Sequence, residues 1–187
     1  MMKTIAIFAS GTGSNFAALT EFFGDERCGV RIAMLVCDHK DAPVVAKAHA
    51  ANVPVFTLNY RDYANKAAAE AAIVAALPPV DLVVLAGFMR ILGPTMLAAF
   101  PQRIVNLHPA LLPSFPGRTG IEDALAYGVR VTGVTVHYVD AGVDSGTIIA
   151  QEPVRVLPTD SFATLAPRIH QVEHILLPTT IAALLAD

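Results

Sequence analysis

The sequence predicts an α/β fold: a single-domain, Rossmann-like, open and mostly parallel sheet with helices on both faces and an antiparallel addition in the C-terminal part. Three observations predict it. Short apolar runs alternate with longer helix-period segments through the first half of the chain. The best strand candidates are almost wholly apolar, as strands covered on both faces must be. Of 187 residues, 54% are hydrophobic and 16% charged, a composition that can bury one real core.

The elements follow in order. Thr4–Ala9 is an apolar strand, and the glycine-rich segment after it opens a helix over Asn15–Phe23. Arg31–Cys37 is a second strand, Ala42–Ala51 its helix, and Val53–Thr57 a short third strand. Tyr63–Leu77 is alanine-rich and helical until Pro78-Pro79 stops it. Asp81–Ala86 is the fourth strand, and this rhythm implies parallel pairing with right-handed crossovers. Arg103–Leu107 is the fifth strand, after which Pro109, Pro113 and Pro116 mark irregular chain. Ile121–Tyr127 is a short helix. Gly133–Val139 and Thr147–Val156 are strands close in sequence, hence the antiparallel addition. Phe162–Leu185 is a closing helix, interrupted or bent near Pro167 and Pro178. No repeat, low-complexity tract or linker divides the chain, so residues 1–187 read as one domain.

Composition excludes several function classes. Net charge is -3 and no basic stripe is visible, which argues against nucleic acid as a partner. No run reaches the roughly 18 apolar residues of a membrane span. The apolar N-terminal stretch is too short for a signal peptide and reads as the first strand. Cys28 and Cys37 form neither a disulfide framework nor a zinc pattern, and read as buried thiols in a reducing cytoplasm.

Two segments carry chemistry. The first is the turn Ala9-Ser10-Gly11-Thr12-Gly13-Ser14-Asn15 between the first strand and helix. Glycines let a ligand approach the backbone, and amides at a helix start face an anion. Phe16 stands where a dinucleotide fingerprint has its third glycine, and there is no Gly-Lys-Ser/Thr of a P-loop. A single phosphate suits the turn better, although a plain strand-to-helix turn explains the same residues.

The second is Asn106-Leu107-His108-Pro109, with Asp144 in Val143-Asp144-Ser145-Gly146. Alternation along an extended strand sends Asn106 and His108 to one side, at the carboxyl edge where ligands of open α/β folds bind. Asn can hydrogen-bond a developing oxyanion, His can exchange a proton near pH 7, and Asp can orient that His and raise its pKa. These are the parts of an acyl transfer to an amine. His137 lies inside a strand pattern, which favours a structural histidine. A His108, His137 and Asp144 metal set is the sharpest rival, but no H-x-x-x-H or C-x-x-C spacing supports it, so no metal is expected. A non-catalytic nucleotide-binding module would leave Asn106, His108 and Asp144 without a task. A nicotinamide-dependent oxidoreductase would use an acidic residue ending strand two, a role Asp38 could fill.

Together these residues resemble the folate-dependent formyltransferases that act on glycinamide ribonucleotide in purine biosynthesis. The resemblance covers nearly the whole chain, and four segments carry it: residues 9–15, Val84 to Leu92, Asn106 to Pro113, and Gly133 to Tyr138 with Asp144-Ser145-Gly146. It implies glycinamide ribonucleotide and 10-formyltetrahydrofolate as substrates, a cytoplasmic enzyme, and Asn106, His108 and Asp144 as catalytic residues. Gly11, Thr12, Gly13, Ser14 and Asn15 would hold the ribonucleotide phosphate, with Pro109, His170 and Glu173 nearby. Met89, Arg90, Ile91 and Leu92 would line the pterin pocket, and Asn106 with Asp140, Ala141, Gly142, Val143 and Asp144 would close the folate side. Lys66 would meet the glutamate tail. On this reading about 1–100 binds phosphate and about 101–187 is catalytic and folate-binding, and a homodimer is compatible with it. The Leu112–Pro113 bond is expected to be cis, because the turn after the catalytic strand reverses sharply. The chain departs from the family at Ala110, where Ser is frequent, and over the variable segment Gly117-Arg118-Thr119-Gly120-Ile121. Formyltetrahydrofolate deformylases share the trio, but usually carry an N-terminal regulatory domain. Methionyl-tRNA formyltransferases share it too, and usually carry a C-terminal barrel. The chain has room for neither.

Overall fold

The computed structural model describes residues 2–24 and 29–186. Its strands are β1 (Lys3–Phe8), β2 (Val30–Cys37), β3 (Val55–Thr57), β4 (Leu82–Leu85), β5 (Ile104–His108), β6 (Val131–Tyr138) and β7 (Ile148–Arg155). Its helices are α1 (Ser14–Phe23), α2 (Pro43–Ala50), α3 (Lys66–Ala76), α4 (Pro94–Ala99), α5 (Gly120–Tyr127) and α6 (Phe162–Leu185). The strands form one sheet in the order β3-β2-β1-β4-β5-β6-β7. Pairing is parallel from β3 through β5, and antiparallel where β6 joins β5 and β7 joins β6. This is the predicted mixed sheet.

Alternation along the strands builds two apolar layers. Ile5, Ile7 and Ala9 pack with Phe16 and Leu19 of α1, Val44 and Ala48 of α2, and Leu165, Ile169 and Leu177 of α6. Ala6 and Phe8 point the other way, against Ala69 and Ile73 of α3 and Met96 of α4. A strand with no solvent face must be apolar throughout, which is why β1 and β4 show no alternation in sequence.

Differences from expectation have local causes. The third helix starts at Lys66 rather than Tyr63, because the Asn65 side chain accepts from the Ala68 amide at 2.9 Å and caps it. Residues Tyr60–Asp62 form a 3-10 turn that sequence periodicity did not reveal. Helix α4 was not anticipated either, because six residues are too few to show a helical period. Its capping group is distant in sequence: the buried Glu70 carboxylate accepts from the Gly93 amide at 2.6 Å and the Met96 amide at 3.3 Å. Helix α6 runs without a break through Pro167 and Pro178, so of the expected interruption or bend the interruption does not occur. Each proline removes one donor, and the burial of Leu165, Ile169, Leu177 and Ile181 outweighs that loss. The Leu112–Pro113 peptide is cis. Cys37 is buried, and burial pushes its thiol pKa up; Cys28 lies outside the described residues. Among the described residues no helix is long and apolar enough to cross a membrane.

The connectivity also locates the ligand site. The chain leaves β1 for β2 and β3 on one side, then returns to β4 on the other. Between β1 and β4 the strand order reverses, so the loops after them diverge and leave a crevice. Strand β5, next to β4, ends at His108 beside it.

Candidate active site

The β1 side of the crevice is the glycine turn. Gly13 sits at φ +71° in the left-handed region, as the N-cap of α1. A Cβ there would lie 2.4 Å from Val44 Cγ2. No side chain caps α1, so the amides of its first turn have no side-chain partner at that position. In that turn Asn15 Nδ2 donates to Glu173 Oε2 at 2.9 Å, joining α1 to α6. Asn15 Oδ1 is buried without a hydrogen-bond partner. Burial raises the Glu173 pKa against the lowering effects of Asn15 and His170.

The β4 side is the loop from Gly87 to Leu92. The Phe88 ring meets Phe8 edge-on with centroids 5.3 Å apart. The Met89 amide donates to Ser10 Oγ at 2.9 Å, and Arg118 Nη2 donates to the Met89 carbonyl at 3.0 Å. Met89 and Ile91 nevertheless leave 55% and 58% of their surface exposed, an apolar exposure that invites a ligand.

The floor is β5. Asn106 and His108 project to one side, as alternation requires. His108 is 3% exposed. Its Nε2 lies 2.8 Å from the Phe115 carbonyl oxygen, and since a carbonyl only accepts, Nε2 carries a proton. Nδ1 then faces Asp144 Oδ2 at 3.4 Å. The Gly117 amide donates to that same oxygen at 2.7 Å. Asp144 sits at φ 50°, a left-handed conformation in which a non-glycine residue is strained. His137 Nδ1 donates to the Tyr138 carbonyl at 2.9 Å. In the neutral ring Nε2 is thereby left to accept from Asn106 Nδ2 at 3.2 Å. The same Asn106 nitrogen lies 3.4 Å from Asp144 Oδ1, a long contact, so one of its two hydrogens is only loosely held.

The charge states differ from the sequence expectation. Burial lowers the His108 pKa, and although the Phe115 carbonyl and the Asp144 charge act upward, the net result is below an ordinary histidine. The expectation that Asp144 raises it is right in sign and overridden in size. Burial acts upward on Asp144, but contacts from His137 and the Gly117 amide, with the nearby imidazoles, bring it below the usual carboxylate range. Near pH 7 the site therefore holds a neutral His108 facing an ionised Asp144, a pair able to take up one proton.

These two walls and the floor enclose a cleft of about 510 Å³. All of Gly11 to Asn15 line it, with Pro109, His170 and Glu173. Met89 to Leu92, Asn106, His108, Asp140, Gly142, Val143 and Asp144 line it from the other sides. Ala141 is not among the lining residues, although both its neighbours are. Lys66 is not among them either; its Nζ lies 3.9 Å from Glu70, which caps α4. Sequence reasoning undervalued His137, which touches Asn106 and stands 3.5 Å from Asp144. It also missed Phe115 and Gly117, whose backbone groups hold His108 and Asp144; their sequence signal was the proline- and glycine-rich chain itself. Among the described residues no group of three or more His, Cys, Asp or Glu side chains is arranged to hold a metal ion. Asp38 is not free to bind a ribose: its side chain is fully buried, and its oxygens accept from Arg90 Nε at 2.7 Å and meet His39 Nδ1 at 3.0 Å.

Known proteins share this arrangement of strands and loops. The chain is 45% identical to the phosphoribosylglycinamide formyltransferase of Bacillus subtilis over 98% of its own length and 95% of that protein. It is 48% identical to the Mycobacterium tuberculosis protein of that name, over 96% of this chain and 84% of the other. The crystal structure of glycinamide ribonucleotide transformylase 1 from Geobacillus kaustophilus superposes with a TM-score of 0.96 at 47% identity, covering 99% of this chain and all of that one. The sequence profile of the formyl transferase family matches residues 3–181. With this match running through both walls and the floor of the cleft, the chain belongs to the formyl transferase family.

Proposed function

We propose that the protein is a phosphoribosylglycinamide formyltransferase, moving the formyl group of 10-formyltetrahydrofolate to the amine of glycinamide ribonucleotide. The observation that carries the reading is the position of Asn106, His108 and Asp144 between an uncapped helix start and an apolar loop, in one cleft. The first-turn amides of α1, with Gly11 to Asn15, receive the phosphate. The unpartnered Asn15 Oδ1 and the Glu173 carboxyl face the ribose hydroxyls, with Pro109 and His170 alongside. Met89 to Leu92 receive the pterin, and Asp140 to Asp144 close over it. Lys66 reaches the glutamate tail from the start of α3. In this reading the phosphate site belongs to the N-terminal part, catalysis to the C-terminal part, and the folate lies between segments of both. The partners are small molecules, the location cytoplasmic, and a homodimer is compatible with the activity.

The amine attacks the formyl carbon, a C–N bond forms, and negative charge gathers on the formyl oxygen. The loosely held Asn106 N–H stabilises that oxygen; removing one such donor costs about 100- to 1000-fold in rate. The His108–Asp144 pair takes the proton released by the attacking nitrogen. The imidazolium that results is held by the carboxylate and by the Phe115 carbonyl, and the proton passes to folate N10 as that bond breaks. No covalent enzyme intermediate is required, since the amine is already a nucleophile, and no step calls for a metal.

The test is a spectroscopic assay with 10-formyltetrahydrofolate, with and without glycinamide ribonucleotide. Deformylation that requires the ribonucleotide and yields its formylated form is the expected result. Formate release without it would replace the reading with a deformylase, and no reaction by folded protein would remove both. Full activity after exhaustive chelation is expected as well; loss restored by zinc would overturn the metal-free mechanism.

A further inference from the structure

We infer that Asp38 is a positioning residue for the folate side of the cleft, acting through Arg90 rather than on substrate. The inference rests on the reading of Met89 to Leu92 as the pterin-facing loop. Asp38 follows β2, one strand beyond the crevice, and its side chain is wholly buried. A carboxylate so placed needs compensation from each neighbour. Arg90 Nε donates to its Oδ2 at 2.7 Å, and His39 Nδ1 lies 3.0 Å from its Oδ1. The Ser10 hydroxyl meanwhile accepts from the Met89 amide at 2.9 Å.

Two consecutive residues of the loop are thereby fixed, Arg90 to the buried Asp38 and Met89 to Ser10 in the glycine turn. A further link, the Ser10 amide to the Gly87 carbonyl at 3.0 Å, holds the base of the loop to the same turn. Arg90 also lies over the Tyr60 ring, with its guanidinium carbon 5.0 Å from the centroid. Its half-exposed side chain is thus held against Asp38 and Tyr60 along the cleft, beside Met89, Ile91 and Leu92. Exposed loops ordinarily move on the nanosecond-to-microsecond scale. A loop that must present backbone groups to a flat heterocycle gains affinity by being held in place beforehand.

The test compares Asp38→Asn with the unaltered protein, after the unaltered protein has been shown to transfer the formyl group; inactivity there would reject the functional reading and not this one. The substitution keeps the shape but removes the charge that holds Arg90. The expected result is a KM for 10-formyltetrahydrofolate raised about tenfold, on the order of one charge-assisted hydrogen bond, with kcat and the ribonucleotide KM within about twofold. In an Arg90→Met background the same change should alter the folate KM less than about twofold, since the group Asp38 acts through is gone. An unchanged folate KM, equal rises in both KM values, or independent multiplication with Arg90→Met would each overturn the inference. Should Asp38→Asn not fold, Arg90→Met alone removes the same ion pair from its other end. It should raise the folate KM about threefold or more, and an unchanged value there would equally overturn the inference.

Discussion

Single residues set the chemistry here through what surrounds them. His108 is held by the Phe115 carbonyl on one nitrogen and faces Asp144 with the other, and burial keeps it neutral. His108→Ala and Asp144→Ala should therefore each lower kcat by about 100-fold or more while ribonucleotide affinity changes little. Near-normal turnover in either would remove the proton-carrying pair from the mechanism. The protonation argument has its own test. In a pH titration followed by NMR, the His108 ring should titrate below the ordinary histidine value of about 6.5. In Asp144→Asn its midpoint should fall further, because the carboxylate charge acts upward on it. A midpoint above the ordinary value, or an upward move in the variant, would reverse the assignment of burial as the dominant effect. His137 shows what spacing conceals. Its place in a strand pattern made it look structural, and only the antiparallel register, which sets it opposite Asn106, brings it to the trio.

At the scale of elements, the turn from β1 to α1 makes two demands that can be separated. Gly13→Ala places a Cβ into Val44 and strains a left-handed backbone, so it should cost about 2–4 kcal/mol. Gly11→Ala meets nothing within 4 Å and should cost about 1 kcal/mol or less. Urea unfolding of the two variants checks the contrast, and equal losses would mean that Val44 packing does not constrain the turn. This turn was legible in the sequence because glycine spacing after an apolar strand has few explanations. The β strands and long helices were legible because burial on one or both faces leaves a repeating mark. Helix α4 was not, because the group that caps it, Glu70, lies in another helix. The same holds for Asp38, which reads from sequence as the acidic end of a strand, suited to a ribose. In three dimensions Arg90 and His39 claim it. Tertiary partners of buried charge leave no local pattern.

At the scale of the molecule, the reversal of strand order between β1 and β4 gives each proposed substrate its own wall. The ribonucleotide side is built on β1, α1 and α6, and the folate side on β4 and the loops after β5 and β6. The walls are parts of one hydrogen-bonded sheet, and the Met89 amide donates across the crevice to Ser10 Oγ at 2.9 Å. A cleft organised in this way can bind either ligand without first being shaped by the other. Thermal unfolding should accordingly show that glycinamide ribonucleotide alone and a non-transferring 10-formyl folate analogue alone each stabilise the protein. At 100-fold excess over Kd each should contribute about 2.7 kcal/mol, and the two together should approach the sum. Stabilisation by the folate analogue only when ribonucleotide is present would show that the folate wall is assembled by the first ligand. In that case the Asp38–Arg90 pair would not be sufficient to hold the loop, and the preformed cleft would be a property of the ternary complex.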